Sequence, residues 1–90
     1  MREIVRFKFN PPVDRMEVED DVCLAIFMVE CLVGKPRVLL EVGGFLVSED
    51  GECCVLDVRG PAGEAAARVF TGLSAARVGD EALRVERVAS

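Results

Sequence analysis

The segment from Val22 to Val33 constrains the fold of this chain more than any other, because Glu30 is its only charged residue. Its 12 residues are too few for a membrane-spanning helix, which takes about 20. Gly34 can adopt a positive φ and Pro36 cannot continue a helix, so the spacing predicts a helix that ends near Val33. A helix that is apolar on all sides must be covered on most of its surface.

Acidic residues mark the beginning of this helix, which we call helix 1. Asp14 and Glu17 have the spacing of an N-terminal capping pair. Three further acids, Glu19, Asp20 and Asp21, add negative charge near the positive end of the helix dipole. Helix 1 is therefore expected to begin near Asp14, or near Asp20 on a shorter reading. We interpret the acids as a solvated face, with Mg²⁺ or Ca²⁺ binding as the alternative.

The other segments follow strand or helix periodicity. Val5, Phe7 and Phe9 alternate with charged residues, which is typical of a strand with one buried face. The predicted elements are strand 1 at Glu3–Phe9, strand 2 at Arg37–Val47 with a bulge at Gly43-Gly44, a turn at Ser48–Gly51, strand 3 at Cys53–Arg59, helix 2 from Pro61 to just before Gly79, and strand 4 at Ala82–Ala89.

The order strand, helix, strand, strand, helix, strand predicts an α+β fold of the ferredoxin-like type. In that arrangement a four-stranded antiparallel sheet carries both helices on one face, and strand 1 lies between strands 3 and 4. The length favours one domain over residues 1–90. Metal carriers of this fold have two cysteines after strand 1, and acylphosphatases have a glycine-rich loop there. Asn10-Pro11-Pro12 occupies that place here, which argues against both activities.

The charge balance and the missing residue types exclude several classes of function. Eleven basic residues against 16 acidic ones give a net charge of -5, which repels a phosphate backbone. His, Trp and Tyr are absent, so the commonest general base and two of the three stacking rings are missing. We therefore expect no nucleic-acid partner, and no membrane partner for lack of a long apolar segment. An enzyme is not the favoured interpretation.

The sheet face opposite the helices is expected to neutralise its own charges. Strand 1 would present Arg6 and Lys8 there, beside Asp57 of strand 3 and Glu86 of strand 4. The other residues predicted on this open face are Glu41, Cys53, Val55 and Arg84.

The four cysteines are expected to be reduced, because charges interrupt the apolar residues of the N-terminus, which favours the cytoplasm over secretion. Cys53 and Cys54 are adjacent on a strand and point to opposite faces. Cys23 and Cys31 are eight residues apart on helix 1, about 12 Å, too far to share a zinc ion. We predict packing roles, no metal and no cofactor. The alternative is a redox thiol at Cys53, the cysteine predicted to be the most accessible.

The start of helix 2 is a second candidate site. Gly60, Ala62 and Gly63 could offer backbone N–H groups to an anionic ligand, since helix N-termini bind anions. The full glycine pattern of a phosphate-binding motif is missing, and Glu64 brings a competing negative charge. We favour a plain helix start over a ligand site.

Helix 1 carries more apolar surface than packing on a sheet requires. Leu24, Phe27, Met28 and Cys31 lie largely off the stripe that would face the sheet. The residues of that inner stripe are Val18, Val22, Ala25, Ile26, Val29 and Val33. The extra residues would meet helix 2, the hairpin of strands 2 and 3, or another chain. A helix wedged deeply against helix 2 within one chain is the alternative.

These observations favour a small, non-catalytic protein-interaction or assembly domain. We expect a homodimer or a protein partner, held through helix 1 or the sheet, with Leu24, Phe27, Met28 and Cys31 at the interface. A regulatory domain that binds a small molecule, and a thiol-based redox protein using Cys53, are the other two hypotheses.

Overall fold

The sheet is built around β1 (Glu3–Phe9), the first element of the computed structural model, which describes residues 3–89. Val5, Phe7 and Phe9 are buried on one side of this strand, whereas Lys8 is exposed on the other. Alternate side chains of a strand point to opposite faces, so the period-2 pattern becomes one buried and one open face. The predicted strand 1 is confirmed.

The remaining elements form a four-stranded antiparallel sheet with three α-helices, so the α+β class is confirmed. β1 lies between β3 and β4 in the order β2-β3-β1-β4, as predicted. The elements after β1 are α1 (Arg15–Val33), α2 (Lys35–Glu41), β2 (Val42–Val47), β3 (Cys53–Val58), α3 (Pro61–Val78), a 3₁₀ turn (Asp80–Ala82) and β4 (Leu83–Ala89).

The predicted strand over Arg37–Val47 is wrong in its first half, where the chain forms α2. Pro36 lies in the first turn of α2, a place where a missing N–H breaks no helical hydrogen bond. Val38 is buried with Val29 of α1, so packing against the neighbouring helices prevails over the strand-like alternation. The strand begins only at Val42, and its register with β3 shifts at the glycines, where a bulge was predicted.

The ends of the two long helices follow their local sequence signals. Asp14 caps α1 by accepting a hydrogen bond from Met16 N, 2.8 Å away. Gly34 ends α1 with a φ of 93°, and Gly79 ends α3 with a φ of 87°. Both values lie in the region that glycine adopts without steric cost, so these residues separate α1 from α2 and α3 from the 3₁₀ turn.

The core lies between the sheet and the two long helices, which share one face of the sheet as predicted. Phe7 of β1 and Phe70 of α3 meet edge to face, with ring centroids 4.7 Å apart. The other buried residues of this cluster are Val5, Phe9, Val18, Val22, Ala25, Val47, Cys54, Leu56, Val58 and Ala67. Within residues 3–89, no helix combines the length and the apolar character needed to cross a bilayer.

The open face carries the predicted ion pairs of Arg6 and Lys8 with Glu86, whereas Asp57 pairs with Arg59 at 3.2 Å. The carboxylate oxygen Oε1 of Glu86 lies 3.2 Å from Lys8 Nζ and 3.8 Å from Arg6 Nη1. The register places Cys53, Val55 and Asp57 on this side of β3. Glu41 was also predicted here, but that prediction is wrong because Glu41 ends α2 and contacts the start of α3.

Candidate interaction surface

The outward side of α1 is exposed and apolar over its second half. The α1 outer face, as we define it, consists of Leu24, Phe27, Met28, Cys31 and Leu32. Phe27 is 59% exposed, Leu24 and Met28 are each 44% exposed, and Leu32 is 81% exposed. Cys31 is also exposed. Monomeric proteins rarely leave a patch of this kind in water unless it binds something.

The helix itself explains why these side chains have no cover. The inner stripe of α1 is buried against the sheet and α3, and its members Val22 and Ala25 are almost inaccessible to water. Val33 was predicted to belong to this stripe, but that is wrong because it lies in the last turn of α1 and is 44% exposed. Residues three and four apart share one side of a helix, so Leu24, Phe27 and Met28 point away from that contact. The alternative of a helix wedged deeply within one chain therefore does not describe residues 3–89.

α2 extends the apolar surface beyond α1. Leu39 and Leu40 of α2 are 68% and 75% exposed. α1 and α2 contact each other and both contact the edge strand β2, so these residues lie at the same edge of the sheet. Leu46 of β2 is 71% exposed, but it lies on the open face, opposite the helices. Leu32 was not among the predicted interface residues, although it lies four residues after Met28 and helical spacing places it on the same side of α1.

The charges around the α1 outer face are unequally distributed. Its N-terminal side carries Glu19 and Asp20, whereas Lys35 and Arg37 follow its C-terminal end. Glu19 pairs with Arg15 at 3.4 Å. Arg37 likewise pairs with Glu41 at 3.7 Å. Over residues 3–89, neither Asp20 nor Lys35 has an ion-pair partner within 4 Å. The charge that is not held in an ion pair is thus acidic near the start of α1 and basic just after its end.

The structure changes the ranking of the four thiols. Cys23 and Cys31 are exposed on α1, Cys53 is half-buried and Cys54 is buried. Burial, helped by the charge of Cys53, raises the pKa of Cys54 to about 12. Cys53 was predicted to be the most accessible thiol, but that was wrong because its open sheet face is partly shielded by neighbouring strands, whereas α1 faces water.

The start of α3, where an anion site was the alternative to a plain helix start, is occupied by the chain itself. Ala62 N donates a 2.6 Å hydrogen bond to Glu41 Oε1. A Cβ at Gly63 would clash with the backbone oxygen of Glu41, so the end of α2 lies directly on this helix start. Gly60 lies against the side chain of the same glutamate. An external anion would have to displace the Glu41 carboxylate, which already interacts favourably with the positive end of the α3 dipole.

The acids at the start of α1 are not all solvated, which corrects the sequence interpretation. Asp21 is buried and accepts two hydrogen bonds from Arg77 of α3, at 2.8 Å from Nε and 2.9 Å from Nη2. Glu17 lies 3.2 Å from Arg77 Nη1. Hydrogen bonding to Asp21 is the main cause that raises the pKa of Arg77 above its ordinary value. These acids fasten α1 to α3.

A cavity of about 660 Å³ opens at one end of the sheet. Lys8, Cys53 and Arg84 line it together with the acids Glu52 and Glu81. Its volume falls in the range of ligand sites, but such sites are mostly apolar, whereas here charges of both signs oppose each other. Within the described part of the chain, no group of three or more Cys, Asp or Glu residues is arranged to hold a metal ion.

The apolar surface therefore has the clearest physical basis of the candidate sites. Comparison of the chain with protein-family models finds no matching family, and comparison with curated proteins finds no match.

Proposed function

We propose that this protein is a non-catalytic assembly domain that forms homodimers through the α1 outer face. The observation that carries the proposal is the exposure of Leu24, Phe27 and Met28 side by side on a helix whose other side is buried. Apolar side chains of this kind gain about 1.5 to 3 kcal/mol each on full burial, so association would use free energy that folding leaves unused.

The size of the surface fits a second copy of the chain. With about 200 Å² for a fully exposed large side chain, the exposed fractions amount to roughly 500 Å² of apolar area on the α1 outer face. A standard interface buries about 800 Å² on each partner, and about 65% of a homodimer interface is apolar. The requirement is therefore about 520 Å², which the α1 outer face nearly meets before α2 contributes.

We also propose that the architecture is a ferredoxin-like fold with α2 added between α1 and β2. The strand order and the antiparallel pairing support this description. The added helix fills the α3 N-terminus with Glu41 and brings Leu39 and Leu40 to the surface. In this arrangement the insertion enlarges the side of the molecule that assembly would use.

The test is the solution mass of Phe27→Asp beside wild type, by light scattering after size-exclusion chromatography. Burying the exposed part of Phe27 removes about 120 Å² from water, which corresponds to about 3 kcal/mol in each copy. Phe27→Asp should therefore raise the Kd of the dimer at least about 100-fold. Leu46→Asp is the matched control, because Leu46 is also a large apolar residue, 71% exposed against 59% for Phe27, but lies on the open face of the sheet.

Three outcomes decide the proposal. Loss of the dimer in Phe27→Asp, with Leu46→Asp still dimeric, supports it. Loss in Leu46→Asp alone assigns assembly to the sheet and overturns it, as does a wild type that stays monomeric. Circular dichroism shows whether Phe27→Asp is folded. Leu32→Lys, at a side chain that is 81% exposed, repeats the test at a position that folding does not need.

A further inference from the structure

We infer that α1 of a second copy lies antiparallel across the α1 outer face, on a two-fold axis that passes beside Phe27. This inference rests on the proposed homodimer and adds the arrangement of its two chains. A two-fold interface uses the same patch on both copies, so residues before Phe27 in one chain face residues after it in the other.

The apolar residues of α1 are suited to that symmetry. Cys23 and Cys31 lie four residues before and four residues after Phe27, and both are exposed. Residues four apart lie on one side of a helix, so the three side chains form one stripe. In an antiparallel pair Phe27 meets Phe27 of the partner subunit, and Cys23 lies opposite Cys31 of the partner subunit. A parallel pair would instead bring each cysteine against its own copy.

The charges at the two ends select the antiparallel arrangement. Glu19 and Asp20 lie on α1, eight and seven residues before Phe27, and Lys35 begins α2 directly after α1 ends at Val33. Crossing two helices antiparallel brings the acidic end of one against the basic end of the other. A parallel pair would set Asp20 against Asp20 of the partner subunit and leave Lys35 beside a like charge. The helix dipoles also favour the antiparallel pair.

Native cysteines report the arrangement directly. Within one chain Cys23 and Cys31 are about 12 Å apart along the helix, whereas a disulfide needs Cα atoms about 4.4 to 6.8 Å apart. Any bond between these two cysteines is therefore intermolecular. The protein is treated briefly with diamide and quenched in acid. Cleavage after Glu30 then separates the two cysteines into different peptides for mass spectrometry.

Two variants make the outcome decisive. Cys23→Ser and Cys31→Ser should each lose the covalent dimer when oxidised alone, because the remaining cysteine faces serine. An equal mixture of the two should regain it, as a bond between Cys31 of one variant and Cys23 of the other. Wild type should give the Cys23 to Cys31 peptide.

Other results have separate meanings. Covalent dimers in each variant alone, or no cross-link in a protein whose solution mass is that of a dimer, overturn the antiparallel arrangement and leave the homodimer standing. A wild type that is monomeric by solution mass overturns the homodimer, and this inference with it.

Discussion

The pair between Asp21 and Arg77 predicts unequal costs for removing its two members. The side chain of Asp21 is 11% exposed and that of Arg77 is 37% exposed. Arg77→Ala leaves a carboxylate shielded from water without its two hydrogen bonds, whereas Asp21→Ala leaves a guanidinium that still reaches solvent. An unpaired buried charge costs more than a solvated one, so Arg77→Ala should be the more destabilising change.

The magnitudes follow from the same geometry. Hydrogen bonds to charged groups contribute about 1.5 to 3 kcal/mol when shielded, and exposed ion pairs contribute about 0 to 1. Because the pair is partly exposed at Arg77, Arg77→Ala should lower the free energy of unfolding by about 2 kcal/mol and Asp21→Ala should lower it by about 1 kcal/mol. The double variant should be more stable than Arg77→Ala alone, because it removes the orphaned carboxylate.

Urea unfolding followed by circular dichroism measures these costs, at one protein concentration because assembly also stabilises the folded state. With a slope of about 1 to 2 kcal/mol per M, Arg77→Ala should lower the midpoint by about 1 to 2 M. Arg68→Ala is the matched control, since Arg68 is on the same helix, is 78% exposed and pairs with Glu64 at 3.4 Å. Equal costs for Asp21→Ala and Arg77→Ala, or additive costs in the double variant, would refute the reasoning.

Four further predictions concern packing, the reactivity of the thiols, and stability at alkaline and at acid pH. Gly63→Ala should destabilise the fold by about 1 to 3 kcal/mol in urea unfolding, because the added Cβ would clash with the backbone oxygen of Glu41; an unchanged midpoint would contradict this. At pH 8, and at a concentration low enough to keep the chain monomeric, Cys23 and Cys31 should react with Ellman's reagent in the folded protein and Cys54 only after unfolding. Because burial raises the pKa of Cys54 from 9.0 to about 12, its stabilising contribution should be lost as the pH rises from 9 to 12, a decline that Cys54→Ala should reduce. Hydrogen bonds from Arg87 hold the pKa of Glu64 below its ordinary 4.5. The stability that ionised Glu64 contributes is therefore present above pH 4.5 and lost as the pH falls below it, and Glu64→Gln should weaken the fall in the free energy of unfolding at acid pH.

Sequence patterns predict the parts of this fold that short-range chemistry determines. Three kinds of signal act within a few residues, and the structure confirms the feature that each one predicts. They are the helix cap at Asp14, the helix ends at Gly34 and Gly79, and the strand alternation of β1. β1 could also be placed between β3 and β4, because the order of elements restricts how a sheet can be connected.

Long-range packing explains the parts that were missed. Val38 fits a strand as well as a helix by pattern, and only its burial against Val29 decides for α2. Asp21 looks like one more acid at a helix start, while its partner Arg77 is 56 residues away. The exposure of α1 could be expected from its composition, but its extent depends on where α3 and the sheet leave it uncovered.

Sedimentation equilibrium of the wild-type chain tests the central claim most directly. The α1 outer face predicts a mass that rises with concentration to twice the 9.8 kDa of one chain and no further, since a two-fold contact closes on itself. A mass that stays at 9.8 kDa up to about millimolar concentration, the Kd range of the weakest specific contacts, would contradict it.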